Sequence, residues 1–237
     1  MLSTVQATDQ RTRPAPGRGG AAPSAGGATP PALKPLEPFA STVRAERDEE
    51  IFSQGEAAGS CYLVVSGCVR TVRLLEDGRR QIGEFLLAGD LFGWEALDEH
   101  DFAAEVVTPV TLRRYPRGSL EALADRDRDC ARWLRELSAR RLLAGRDHML
   151  LLGRKTASER IASFLLQMAR RMASGGRALI ELPMGRADMA DYLGLTIETV
   201  CRGLTQLREH GTIAVDRTKV AIRDHRALGV AGCELLH

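Results

Sequence analysis

Glu198, Cys201, Arg202 and Thr205 stand at i, i+3, i+4 and i+7, a spacing that puts four polar side chains on one face of a helix. Their chemistry suits the major groove of DNA. An arginine can donate two hydrogen bonds to guanine O6 and N7, a carboxylate can accept one from cytosine N4, and Glu198 with Arg202 can therefore specify a G·C pair. The plainer reading of a Glu/Arg pair at i, i+4 is a surface ion pair. What favours DNA reading is the surrounding text, RADMADYLGLTIETVCRGLTQLREHGTIAV.

That text predicts a first helix from Arg186 to Leu193, a turn at Gly194 and a second helix from Thr196 to Glu209. The turn needs a residue free to take positive φ, and the small Ala190 lets the helices approach. Met189, Leu193, Leu195, Val200 and Leu204 supply the apolar contacts between them. Arg186 at the start of the first helix, with Thr196 and Thr199 at the start of the second, completes the expected DNA-binding set. Downstream, Thr212 to Val215 and Val220 to Arg223 alternate as two strands joined by Asp216-Arg217-Thr218-Lys219, a hairpin wing whose Arg217 and Lys219 can reach phosphates.

A DNA-reading head needs elements to position it. Between about Asp127 and Gly153 the sequence is helical, and Cys130, Leu137, Ala144 and Leu151 recur every seven residues, with Leu143 and Leu150 on an adjacent stripe. This pattern predicts a dimer seam through Leu137, Ala144 and Leu151. Arg141 and His148 stand where the second apolar position of each heptad belongs, and a helix packed on its own domain is the alternative. A short helix, Ser119 to Ala124, precedes it. A further helix, Ser158 to Met172, leads through Ser174-Gly175-Gly176 to a strand, Ala178 to Leu182.

From about Thr42 to Tyr115 short runs rich in Val, Leu, Phe and Tyr alternate with glycines. Cys61 to Val65, Cys68 to Leu75 and Gln81 to Leu87 read as strands, with Glu76-Asp77-Gly78 as a hairpin turn, which predicts a sandwich or jelly roll. The first 35 residues are dominated by Ala, Gly and Pro and are expected to be a disordered tail. The expected organisation is thus a tail over 1–35, a β-roll over 36–124, a dimerisation helix over 125–153 and a winged helix-turn-helix over 154–237, an α+β chain.

Charge is distributed accordingly. Residues 154–223 hold 12 Lys/Arg against 7 Asp/Glu, whereas residues 36–153 hold 16 against 21, beneath a net charge of +2. The basic part is the one expected to face phosphate. Five scattered cysteines without a C-x-x-C pair suggest neither a disulfide framework nor a zinc site. No apolar run approaches the roughly 18 residues a bilayer requires, and MLSTVQATDQRTRP offers no signal-peptide core; a cytoplasmic protein is expected. An enzyme is the remotest reading, because no Ser/His/Asp set, phosphate loop or metal-ligand cluster is visible.

Three stretches, LPMGRADMADYLGLTIETVCR, LLLGRKTASERIASFLL and the Gly-punctuated strands with LAGDLFG, resemble the cAMP receptor protein and FNR superfamily, and most closely its FixK group. The resemblance spans roughly residues 45–225. It implies a cyclic-nucleotide-binding-like β-roll, a long dimerisation helix and a winged helix-turn-helix that grips a palindrome of the TTGAT-N4-ATCAA type as a homodimer, with RNA polymerase as the protein partner. Glu198 and Arg202 would read the inner G·C pair. The position of Cys201 usually holds serine in such proteins; one residue before Arg202 on the groove-facing side, its thiol is a candidate redox sensor, and the alternative is that it replaces serine as a small contact residue. The FixK group further implies control of microaerobic or anaerobic respiration or of nitrogen metabolism.

The resemblance does not supply a ligand. Cyclic-nucleotide binders of the superfamily carry Gly-Glu-Leu followed by an Arg-Ser/Thr-Ala stretch whose arginine neutralises the phosphate. Here the corresponding residues are Gly93-Trp94-Glu95 and Phe102-Ala103-Ala104. A phosphate buried without that arginine would be penalised by several kcal/mol. An FNR-type iron-sulfur cluster needs four thiolates, most of them N-terminal, and no cysteine precedes Cys61. His100 and His148 are isolated. No cofactor is expected; the alternative is a regulator of the same superfamily gated by nitric oxide, haem or a small metabolite.

Overall fold

The structure is a computed structural model, described for residues 28–96, 98–172 and 179–232. The alternating apolar residues form β1 (Ser41–Ala45), β2 (Glu50–Phe52), β3 (Ser60–Leu74), β4 (Arg80–Leu86), β5 (Leu91–Phe92) and β6 (Ala103–Pro116). They pair in the order β1-β6-β3-β4, with β2 beside β6 and β5 beside β3. Val64, Leu86, Phe92, Val106 and Leu112 fill the interior, because successive strand residues point to opposite faces. Gly78 turns the β3–β4 hairpin at φ +80°, donating from its N–H to Leu75 O at 2.9 Å.

Gly67 is not the break between two strands that the sequence suggests. It sits inside one 15-residue strand, β3, at φ +87°, where the register against β6 shifts. A Cβ there would lie 2.3 Å from Pro109 O, so the glycine makes a bulge that lets the long strand curl. The expected tail also needs correction. Pro31–Phe39 forms a 3-10 helix that buries Leu33 and Leu36 against the β-roll, since residues three apart share a face in that helix. Residues 31–35 therefore belong to the fold; positions 1–27 lie outside the described residues, as do Ser174-Gly175-Gly176.

Next come α1 (Arg117–Arg126) and α2 (Arg128–Arg154). Asp127 caps α2, its Oδ1 accepting from the backbone N–H groups of Asp129 and Cys130 at 2.8 and 2.9 Å. The orientation of α2 corrects the seam read from its heptads. Cys130 and Leu137 pack under the β-roll and Leu151 packs in the C-terminal core, so Leu137 and Leu151 are turned toward their own chain. Arg141 and His148 complete that inward face: Arg141 pairs with Glu95 at 2.5 Å and donates to Leu91 O, and the His148 ring lies tilted against Tyr192. Arg141 interrupts the heptad because the β-roll supplies polar partners for it, whereas His148 meets an aromatic ring, that of Tyr192. Of the expected seam only Ala144 is exposed. The apolar stripe left open is Leu142, Leu143, Met149 and Leu150, each more than half exposed.

The C-terminal domain comprises α3 (Ala157–Met172), β7 (Leu179–Glu181), α4 (Arg186–Leu193), α5 (Ile197–Glu209), β8 (Ile213–Asp216), β9 (Lys219–Ile222) and α6 (His225–Ala231). Strand β7 joins the hairpin in the order β7-β9-β8. A single core unites this domain with the outer face of the β-roll: Phe85 of β4 lies 6.2 Å from Phe164 and 5.4 Å from Tyr192 between ring centroids.

Candidate nucleic-acid interface

The reading head is built as its sequence predicts. Helix α4 ends in Gly194 at φ +60°, ψ +43°, a left-handed cap whose N–H donates to Ala190 O. Thr196 then caps α5, its hydroxyl accepting from Thr199 N–H at 3.2 Å. Met189, Leu193, Val200 and Leu204 are buried between the helices, with Leu195 packed against them.

One glycine carries more than its sequence signal suggests. Gly203 lies inside α5, where glycine costs about 1 kcal/mol relative to alanine. A Cβ there would sit 2.4 Å from Ile161 Cδ1, so α5 lies directly on α3. The unusual glycine in a helical pattern is the clue that could have revealed this approach.

Packing one face of α5 fixes the other. Thr196, Glu198, Cys201 and Arg202 are exposed, and Thr199 and Thr205 are half-buried. The Glu198 carboxyl is held below its ordinary range by its own backbone N–H at the helix start, then by the Thr196 side chain and the nearby Arg202. It is therefore an ionised acceptor at neutral pH. Helix start and exposure thus present an acceptor, a thiol and a guanidinium side by side.

Arg186 is placed differently from the rest of the set. Its Nη2 donates to Arg217 O in the wing at 3.3 Å and its Nη1 contacts Met189 Sδ. Burial lowers its pKa, and the nearby Cys201 partly offsets that shift. It braces the wing against α4. The wing itself turns through Arg217, at φ +53°, and Thr218 between β8 and β9. Arg217 and Lys219 are exposed at its tip.

Between the β-roll and α2 lies an open cavity of about 1220 Å³, lined among others by Gly83, Glu95, His100, Phe102, Arg141 and His148. Phe102 lies against Gly83, whose added Cβ would meet the ring at 3.0 Å, and Arg73 stands over the ring with 5.9 Å between guanidinium carbon and centroid. Glu95 is paired with Arg141 of α2. His100 stacks on Phe52 at 3.6 Å and His148 lies tilted against Tyr192 at 4.3 Å between ring centroids, so each histidine is held by an aromatic neighbour. Burial pushes the Cys61 and Cys68 thiols up to about 12, which leaves them protonated and unreactive. Cys130 is buried too, and Cys201 is exposed.

A β-roll, a long helix and a winged helix-turn-helix with an exposed polar reading face define a DNA-binding transcription regulator. Residues 42–127 match the cyclic nucleotide-binding domain and residues 159–230 the Crp-like helix-turn-helix domain. The nitrogen fixation regulation protein FixK of Azorhizobium caulinodans is 47% identical over 186 residues, covering 77% of this chain and 75% of that protein. FixK of Rhizobium meliloti is 43% identical over 187 residues, covering 79% and 81%. The structure of FixK2 from Bradyrhizobium japonicum superposes with a TM-score of 0.79 at 44% identity, over 83% of this chain and 99% of that one. The chain belongs to the cAMP receptor protein and FNR family of transcription regulators, in its FixK group. It is a DNA-binding activator of FixK/FNR type, and among the described residues no helix is long and apolar enough to cross a membrane.

Proposed function

We propose that the protein is a cytoplasmic regulator that binds, as a homodimer and without an effector, an inverted repeat related to TTGAT-N4-ATCAA, and recruits RNA polymerase to genes of microaerobic or anaerobic respiration or nitrogen metabolism. The observation that carries this reading is the face of α5: Glu198 and Arg202 are exposed together on a helix whose opposite side is locked on α3 through Gly203. Two such helices related by a two-fold axis reach successive major grooves about 34 Å apart. The open Leu142, Leu143, Met149 and Leu150 stripe of α2 offers the dimer contact, one helical step from the stripe that the heptads suggest.

Effector independence rests on the sequence, where Phe102 and Ala103 stand in place of the arginine and hydroxyl residue that the superfamily's nucleotide binders carry. The names of the FixK relatives support a role in nitrogen fixation control. Cys201 adds a redox input: oxidation would put a negative charge beside Arg202 on the face turned to DNA.

Selection of sites from random DNA with purified protein and no added ligand tests the reading. An enriched palindrome of this type, with affinity unchanged by added cAMP or cGMP, is the expected result. Enrichment only in the presence of a cyclic nucleotide would overturn effector independence, and enrichment of single half-sites would overturn the dimer.

A further inference from the structure

Arg160, in the first turn of α3, spends its side chain on four main-chain carbonyls that belong to two helix ends. Its Nε donates to Lys155 O at 2.9 Å and its Nη2 to Leu152 O at 2.7 Å, at the C-terminal end of α2. Its Nη1 donates to Leu193 O at 3.0 Å and Gly194 O at 3.4 Å, at the C-terminal end of α4. The last carbonyls of a helix have no partner within it and carry the negative end of its dipole. A guanidinium, permanently charged and with five donors in a fixed plane, can satisfy two such ends at once; an ammonium group presents a single point.

The joint has a second half. Between α2 and α3 the chain leaves helical conformation at Lys155, at φ −89°, ψ 144°, and the Lys155 Nζ donates to Ser163 Oγ at 2.7 Å and Gly232 O at 2.8 Å. Gly194 closes the joint from the other side: an added Cβ would lie 3.3 Å from Leu152 Cδ2 and 3.5 Å from Arg160 Nη1. The turn immediately before the reading helix thus rests on the end of the helix that carries the open apolar stripe.

We infer that Arg160 is a positioning residue that, in addition to the shared core and the ion pairs of Asp188 with the β-roll, sets the direction of α5 relative to α2, and through it the spacer length between half-sites that the dimer accepts. The inference rests on the dimeric, palindrome-reading function proposed above. A rigid joint makes the distance between the two reading helices a property of the dimer, so a spacer of the wrong length costs affinity. A loosened joint lets each head tilt to follow the DNA, and that cost shrinks. The contacts of Glu198 and Arg202 with their own bases are unaffected, which separates this role from general support of the fold.

Binding constants of the full-length protein and of Arg160→Lys and Arg160→Met test it, measured on the selected palindrome, on palindromes with a spacer one base pair longer or shorter, and on one with the G·C pair read by Arg202 exchanged. The native protein is expected to lose about tenfold on a spacer change. Arg160→Met is expected to lose less than about threefold, with the native ratio at the G·C exchange, and Arg160→Lys to fall between them. A native spacer penalty retained in Arg160→Met overturns the inference and leaves the dimeric reading standing. No spacer penalty in the native protein overturns both. Should Arg160→Met not fold, Gly194→Asn carries the test: it keeps the left-handed turn but drives a Cβ toward Leu152, and is expected to change the preferred spacer. An unchanged preference overturns the inference.

Discussion

Arg70 of the β-roll donates a hydrogen bond to Asp188 of the reading head at 3.0 Å, and both side chains are less than a tenth exposed. The pair does not stand alone. Arg70 also bonds Glu105 and Asp48, and Arg80 bonds both Asp188 and Asp191. The network grips α4 from behind and leaves the outer face of α5 uncovered, so it holds the reading head without masking it. Arg70→Met and Asp188→Asn are expected to show a coupling energy of about 1–3 kcal/mol in a double-mutant cycle of denaturant unfolding. Arg80 still reaches Asp188 in the first variant, which keeps the single change below the roughly 3–5 kcal/mol of a stranded buried charge. Additive effects would show that the pair does not couple the domains.

Arg202→Ala should weaken binding by about 1–3 kcal/mol on a site with the G·C pair and relax the preference there. Because Arg202 is exposed, its removal should change stability by no more than about 0.5 kcal/mol. Competition binding against sites altered at that pair, beside a thermal melt, measures both. An unchanged base preference would show that another face of α5 reads the DNA.

His148 links stability to pH. Both ring nitrogens are buried and have no hydrogen-bond partner among the described residues, and burial lowers its pKa below the ordinary 6.5. The unfolded chain therefore takes up the proton first as pH falls. The contribution of neutral His148 is complete above about pH 6.5 and is lost progressively as pH drops below it toward the depressed folded value. His148→Phe, which keeps an aromatic ring against Tyr192, should flatten the decline in melting temperature between neutral and mildly acidic pH. An equal decline in both proteins would place the sensitivity elsewhere.

Cys201 is exposed on the reading face, and oxidation of its sulfur by peroxide to the sulfinic or sulfonic acid would set a full negative charge against the DNA backbone. Peroxide should abolish DNA binding by the native protein, and Cys201→Ser and Cys201→Ala should keep binding after the same treatment. Cys201→Asp should resemble the oxidised protein. Equal loss in Cys201→Ala would remove Cys201 as the switch.

The sequence by itself determined the reading head. Gly194, the threonine cap and the spacing of Glu198, Cys201, Arg202 and Thr205 are local signals, each set by dihedral freedom or helical period within a few residues, and the structure builds the two helices where those signals place them. The glycine-punctuated β-roll was legible for the same reason, although Gly67 read as a break when it is a bulge: a bulge depends on Pro109 across the sheet, which the local text does not mention. Only the tertiary structure decided which face of α2 is open, because the heptad of Leu137, Ala144 and Leu151 is apolar whether it meets a partner or its own domains. The inward turn of Arg141 and His148 follows from Glu95 and Tyr192, residues far along the chain. Arg70 and Asp188 are 118 positions apart, and Arg160 joins two helix ends through carbonyls that every residue possesses. Such contacts leave no pattern in a sequence, since their partners are chosen by the fold and not by spacing along it.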